Sequence, residues 1–401
     1  MARKAKAAPA PAPEPTPTPA HSPLGASGAH RWMECPGSVA LIQALGPINE
    51  EEPDYQREGT LAHSFAAHCL EHDQDGWEAL AHFPDATADM SDAVQVYVDH
   101  VRAQPGRRYV ELRVEHSAFH EAMFSQLDAA ILNPDAIVGL DISAEIVDYK
   151  HGVGVVVEVD DNPQVKYYGF AFLNGADWPD DLPRLSDDAF VRLTIAQPRV
   201  TWHPDGGVRS WVTTAGELRR WAYEELRPAM ARAGEATFKM GEHCRFCPAK
   251  LVCPLMRKLG FDAALAGNDA DLPSTDDEWL GHWYGRIDQL KMFINAVSAE
   301  VRRRVLDGRP IATAKIVHGL VDRVWKDDAP LVETFGDKAW KPAELLSPAR
   351  VEKDLPGGRE FVAEYAQKPE PPLTVASITD KRSAVTIGTD AEVFSGVQIP
   401  G

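Results

Sequence analysis

Gln126-Leu127-Asp128-Ala129-Ala130-Ile131-Leu132 and Glu145-Ile146-Val147-Asp148-Tyr149-Lys150 decide the fold of this chain. Both are short runs rich in apolar and β-branched residues, the composition of strands, and both hold an aspartate. A lone carboxylate within an apolar strand carries a large desolvation cost unless it is paired or metal-bound, so Asp128 invites a cation. In the second run, alternation puts Asp148 and Lys150 on the same face, about 7 Å apart along the strand. A carboxylate and an ammonium then share one site.

Working outward, Tyr109–Val114 reads as a third strand, separated from the other two by Asn-Pro or Gly-containing turns, and Val191–Ala196 as a fourth. Ahead of them, Leu61, Phe65 and Cys69, with Ala62 and Ala66, have helical spacing behind Thr60 as N-cap, and His63 falls on a different side from that stripe. A second helix is expected from Ser91 to about Ala103. Asn162-Pro163 starts a helix carrying Gln164, Tyr168 and the run Phe170–Leu173, and Thr213 to about Arg232 is helical. The order α-β-β-β-α-β predicts an α/β fold with a mixed central sheet flanked by helices.

The remaining organisation follows from composition. Residues 1–22 are rich in Ala and Pro and predict a disordered tail, with the folded part beginning near Ser27. A unit over 23–260 is followed by a Gly-, Asp-, Pro- and Ser-containing linker over 261–275 and a mainly helical accessory region over 276–401. That region opens on a helix from Asp276 to Leu306 with Leu280, Trp283, Ile287, Leu290, Ile294, Val297 and Val301 three and four apart, and Thr275 with Glu278 as a capping box. Such a stripe is expected to be core, or else a helix-pair or dimer seam. Lys315–Val324 has strand character and Pro348–Lys353 helical character.

The 401 residues, 44% hydrophobic and 25% charged, suit a globular protein. No apolar run approaches the roughly 20 residues of a membrane helix, and no secretory signal opens the chain, so no membrane partner and a cytoplasmic location are expected. The net charge of -19 counts against binding nucleic acid by charge alone. Arg102, Arg107, Arg108 and Arg113, or Arg302, Arg303 and Arg304, are candidates for a local basic groove, although solvated faces account for them more simply.

Asp128, Asp148 and the carbonyl of Tyr149 make a hard-ligand set for Mg²⁺ or Mn²⁺, and His63 completes it with a lean towards Mn²⁺. Phosphodiester hydrolysis suits this set, with Lys150 orienting a water and offsetting charge on phosphorus. Gln164 and Tyr168, one helical turn apart, are suited to holding a phosphate or Lys150. Of the five cysteines, Cys69 reads as a buried apolar residue. Cys35 and the C-x2-C-x5-C cluster Cys244, Cys247 and Cys253 would hold either a zinc ion or a [4Fe–4S] cluster, since both accept four thiolates. Prolines follow Cys35, Cys247 and Cys253, and Cys-Pro also occurs at ferredoxin clusters.

The order His63, Asp128, Asp148-x-Lys150, Gln164-x3-Tyr168 resembles the RecB-type branch of the PD-(D/E)XK nucleases, and the cysteine pattern resembles the iron–sulfur staple of AddB-type helicase-nucleases. Ser27-Gly28-Ala29-His30-Arg31-Trp32, Glu58-Gly59-Thr60-x2-His63, Asp148-Tyr149-Lys150-x-Gly152 and Gln197-Pro198-Arg199 are similar to a phage and prophage family catalogued as a domain of unknown function. The resemblance covers about residues 24–260. It implies a restriction-endonuclease-like sheet, His63, Asp128 and Asp148 as metal ligands, Lys150 as catalytic lysine, and Gln164 and Tyr168 in support. It favours [4Fe–4S] over zinc. Many relatives place a glycine-containing turn before the second-motif aspartate, where this chain reads Met123-Phe124-Ser125-Gln126-Leu127-Asp128.

The expected function is a metal-dependent DNA nuclease, an exonuclease acting at duplex ends in phage recombination or replication within a bacterial host. A phage recombinase or single-strand annealing protein is the expected partner, and the long C-terminal helix the expected route to oligomers. The alternative is a non-catalytic nucleic-acid-binding or assembly protein that keeps the fold. A redox enzyme fits poorly, since no dinucleotide-binding glycine motif accompanies the cysteines.

Overall fold

The computed structural model describes residues 22–46, 54–265, 277–309 and 311–314. Five strands, β1 (Arg107–Glu115), β2 (Phe124–Leu132), β3 (Ile142–Tyr149), β4 (Phe190–Ala196) and β5 (Val208–Thr214), form one sheet in the order β1-β2-β3-β4-β5. The β3–β4 pair is parallel and the other three are antiparallel, so the sheet is mixed as expected. Strand β5 was not foreseen. Its Arg209, Ser210 and Trp211 interrupt the apolar run, and Trp211 is only partly covered, packing against the core from its margin.

Helices α1 (Ala29–Glu34), α2 (Gly37–Leu45), α3 (Asp54–His72), α4 (Gly76–Ala79) and α5 (Ala88–Ala103) precede the sheet. Helix α6 (Pro163–Asn174) is the crossover between the parallel strands β3 and β4. After β5 come α7 (Ala215–Trp221), a π-helical turn over Ala222–Leu226, and α8 (Arg227–Arg232), together the helix expected from Thr213 to Arg232. Three helix starts differ from expectation. Thr213 and Thr214 close β5, so α7 begins at Ala215. Helix α3 begins at Asp54, so Thr60 lies within it rather than capping it. Helix α5 starts three residues before Ser91, where Thr87 Oγ1 accepts from the Met90 N–H (3.2 Å).

Two buried clusters cover the two faces of the sheet. On one, Ile146, Leu193 and Ile195 pack with Trp32, Tyr167, Phe170, Phe172 and Trp221 from α1, α6 and α7. On the other, Ile131, Val147 and Tyr149 meet Phe65, Cys69, Tyr97 and Val98 from α3 and α5, which confirms Cys69 as a core residue. Each large apolar side chain buried in this way stabilises the fold by roughly 1.5–3 kcal/mol before entropy is counted. Helix α6 lies close on the sheet because residue 169 is glycine: a Cβ there would sit 3.1 Å from Leu218 and 3.2 Å from Leu193.

The chain makes tertiary contacts earlier than Ser27, since the Ser22 hydroxyl donates to Ala122 O (2.5 Å). Helix α9 (Pro254–Leu265) runs into the segment expected as a linker. The expected single helix is two, α10 (Asp277–Tyr284) and α11 (Ile287–Leu306), broken at Gly285-Arg286. None of their described residues is buried, so the apolar stripe is not core within these residues. By contact the chain divides into residues 1–280 with 286–302, and residues 281–285 with 303–401. Nearly all of the expected tail, Thr275 of the capping box, Lys315–Val324 and Pro348–Lys353 lie outside the described residues.

Replacing Gly169 with valine should overpack the seam between α6 and the sheet and destabilise the protein by about 1–3 kcal/mol. Urea unfolding measures this, and an unchanged midpoint would show that Leu193 and Leu218 can yield.

Candidate functional site

Strand register brings three acidic residues into one row. Between the pairs Val110↔Ala129 and Leu112↔Leu127, Glu111 of β1 stands opposite Asp128 of β2. One step past the pair Ala129↔Val147, Asp128 in turn stands opposite Asp148 of β3. The row interrupts the sheet on both sides. Glu111 takes a left-handed backbone conformation (φ 45°), costly for a residue with a Cβ, and it drops out of the β1–β2 pairing. Beyond Ala129 the two central strands part, and the Tyr149 N–H turns to Asp128 Oδ2 (2.6 Å).

Helix α3 delivers His63 to this row, its Nδ1 3.1 Å from Asp128 Oδ1. One ligand atom each from His63, Glu111 and Asp128 lie within 4.8 Å of one another, a metal-sized grouping. Glu111 was missed in the sequence. The same signal that marked Asp128, an acid in an otherwise apolar strand, was present at Val110-Glu111-Leu112. Its carboxylate accepts from Gln126 Nε2 (3.0 Å).

Asp148 is almost wholly buried and carries two partners. Lys150 Nζ stands 2.8 Å from Oδ2 and Gln164 Nε2 donates to Oδ1 (2.9 Å). Among the described residues no hydrogen-bond donor is aligned on Oδ2, so its contact with Lys150 is ionic. Gln164 is set by the start of α6: Asn162 Oδ1 accepts from the Gln164 N–H (2.9 Å) behind Pro163 at the first helical turn. Gln164 Nε2 also reaches the Tyr168 hydroxyl (3.3 Å), so this pair holds Asp148 rather than Lys150. Tyr149 participates through its N–H, and its ring packs between those of His63 (5.4 Å) and His151 (6.1 Å).

The charges are strongly interdependent. Burial opposes ionisation of Asp128, but His63, Lys150 and the Tyr149 N–H outweigh it and hold its pKa low. Burial dominates at Asp148, and with repulsion from Asp128 it outweighs Lys150 and raises the pKa. Glu111 is likewise raised by burial and by Asp128. Burial alone would lower the pKa values of His63 and Lys150; Asp128 raises the first and Asp148 the second, so Lys150 stays an ammonium. Two carboxylates that resist ionisation beside a third already ionised are suited to a divalent cation. The oxygen donors of Glu111 and Asp128 with the His63 imidazole fit Mg²⁺ or Mn²⁺, and Asp148 stands beside that grouping rather than within it.

A second network lies behind the first and joins three sequence motifs. His151 Nδ1 pairs with the Tyr149 hydroxyl (2.9 Å), and its Nε2 lies 3.2 Å from Glu58 Oε1 and 3.0 Å from Arg199 Nη1. Arg199 in turn donates to Glu58 (2.7 Å). Gln197 fastens the segment after Lys150, donating to the carbonyls of Gly152 and Val155 (both 2.8 Å). The arginines of the first group each have a partner within the chain. Arg102 pairs with Asp75, Arg107 with Asp181 and Arg113 with Glu115, while Arg108 donates to Arg102 O.

The cysteines converge as their spacing requires. Cys35, Cys244, Cys247 and Cys253 line one cavity, with Arg31, Ser38, Phe238 and His243. All four are free, and Cys35, Cys244 and Cys247 are buried. The Cys35 loop is docked by main-chain hydrogen bonds, Gly37 N–H to Thr237 O (2.9 Å) and Gly234 N–H to Pro36 O (3.0 Å). Gly37 is required there, because a Cβ would lie 2.4 Å from the Phe238 ring.

Since His63 must lose its proton to bind a metal, and Asp128 raises its pKa, Mn²⁺ affinity should climb as pH rises from about 6 to 8. Glu111→Gln should weaken binding on the order of tenfold. Calorimetric titration checks both; a pH-independent affinity, or an unaltered one in the variant, would remove His63 or Glu111 from the ligand set.

No solved structure matches this chain. A family model matches residues 21–383, most of the sequence, and the chain belongs to the family described as "Protein of unknown function (DUF2800)".

Proposed function

We propose that this protein is a metal-dependent DNA nuclease with a restriction-endonuclease-like core of the RecB type, acting as an exonuclease at duplex ends. The observation that carries this reading is the carboxylate row Glu111, Asp128 and Asp148, with His63 on the middle acid, Asp128, and Lys150 on Asp148. The mixed sheet and the crossover helix α6, which reaches back to the carboxylate of β3, support it.

His63, Glu111, Asp128 and Asp148 would hold the cation. When bound, Mg²⁺ or Mn²⁺ supplies Lewis acidity towards a phosphoryl oxygen and acidifies water. The remaining work falls to the chain. Lys150, fixed by Asp148, orients the attacking water and offsets charge on the phosphorane. Gln164 keeps Asp148 from rotating away, and the Tyr149 N–H does the same for Asp128. Burial by α3 and α6 lowers the local dielectric, so each of these interactions counts for more than in water.

The cysteine cavity is proposed to hold a [4Fe–4S] cluster that staples the early segment to the end of the catalytic unit. Four thiolates would suit zinc as well, and the family resemblance, with the prolines that follow Cys35, Cys247 and Cys253, favours the cluster. Action in phage recombination or replication, in the cytoplasm of a bacterial host and beside a recombinase or annealing protein, completes the reading. The non-catalytic alternative has less support, because the acidic row and Lys150 are intact.

With Mn²⁺ or Mg²⁺ and anaerobically purified protein, linear duplex DNA should be degraded and covalently closed DNA spared. Lys150→Ala should slow cleavage by at least about 10²–10³-fold while folding and metal binding persist. Wild-type-like cleavage by the variant, or no cleavage by the wild type on any DNA, would sink the assignment. Cys247→Ser should bleach the visible absorption of the cluster and lower thermal stability, and an unchanged spectrum would strike Cys247 from the ligands.

A further inference from the structure

The cavity lined by the four cysteines also holds cations, and their partners differ. Lys239 pairs with Glu34, and Lys250 donates to Arg245 O (2.6 Å). Burial pushes the His243 pKa down, and its Nε2 pairs with Lys239 O (2.9 Å). Arg31 is different. Its guanidinium donates through Nη1 to Ser38 Oγ (2.8 Å), and among the described residues it has no carboxylate partner. It lines the same cavity as all four cysteines, and the charge that Cys247 and Cys35 carry as thiolates favours its charged form against the opposing effect of burial. A half-buried cation with no carboxylate is poorly placed against neutral thiols and well placed against thiolates.

The local chain is arranged around this placement. The Cys35 N–H donates to Arg31 O (2.9 Å) and the Ser38 N–H to Cys35 O (3.0 Å), so residues 31, 35 and 38 form one turn with the guanidinium folded back across it. Gly28 leaves room for that fold, since a Cβ there would lie 3.1 Å from Arg31 Nη2.

We infer that Arg31 is the counter-ion of the cysteine centre, offsetting thiolate charge, fixing the arm that carries Cys35 and raising the reduction potential of the cluster. The inference rests on the cluster reading given above. Four thiolates around a dicationic [4Fe–4S] core leave a net dianion, and reduction adds a further negative charge. A cation lining the same cavity as the sulfurs favours the reduced state and slows loss of the cluster. Arg31 is thus a positioning and charge-compensating residue rather than a ligand.

The test uses full-length protein purified without oxygen, comparing wild type with Arg31→Gln, Arg31→Lys and Ser38→Ala. Iron and sulfide per chain, visible absorption, midpoint potential and bleaching in air are measured. Arg31→Gln keeps donors but not charge and should shift the midpoint to more negative potential and bleach several-fold faster. Arg31→Lys should keep the potential near wild type yet bleach faster, because an ammonium cannot hold both Ser38 and the sulfurs. Ser38→Ala should shift both in the direction of Arg31→Gln, by less. Iron present in all proteins with equal potentials and bleaching rates would overturn the role of Arg31 alone. Should Arg31→Gln fail to fold, Arg31→Lys and Ser38→Ala matching wild type in bleaching would do the same. Zinc, or no metal, in the wild type would overturn the cluster reading and this inference with it.

Discussion

Three carboxylates at matching register on adjacent strands repel one another, and this repulsion is the constraint around which the rest of the site is arranged. Sheet pairing alone would close β1, β2 and β3 over the row. Instead Glu111 strains its backbone, β2 and β3 part beyond Ala129, and a main-chain N–H is diverted to Asp128. Helix α3 brings an imidazole to the middle acid, Asp128, and Lys150, just past the end of β3, brings an ammonium to Asp148. The fold gives up backbone pairing at the row where the three acids lie together.

Much of this was legible in the sequence because two periodicities coincide. Alternation fixed the strand faces, so Asp148 and Lys150 had to be neighbours, and helical spacing fixed Gln164 and Tyr168 on one side of α6. What alternation does not carry is register between strands. Glu111 became a member of the site only through its pairing position opposite Asp128, which no local pattern encodes. The partnership of Glu58, His151 and Arg199 was hidden for the same reason: residues far apart in the chain meet only after the sheet forms. Strand β5 was hidden by its own composition, with Arg209 buried against Gln197 and the carbonyl of Val157.

The long C-terminal pattern shows the opposite failure. Spacings of three and four do predict helix, and α10 and α11 are helical, but periodicity says nothing about what covers the apolar side. Gly285 lies where the single helix was expected to continue, and glycine disfavours the helix interior by roughly 1 kcal/mol relative to alanine. The apolar stripe therefore marks the helices without marking a core.

The position of Cys35 far ahead of its three companions has a consequence for how the molecule is made. Synthesis proceeds at about 5–20 residues per second, so the first thiol waits on the order of 10–40 s before the last leaves the ribosome. During that interval the five strands, all encoded between the two, can pair and acquire α6. The main-chain bonds from Pro36 and Gly37 to the segment around Gly234 and Thr237 form next, ahead of Cys244. The sulfur pocket is thus completed after the sheet, and a ribosome that stops short of Cys253 releases a chain that can hold its carboxylate row but lacks the fourth thiol.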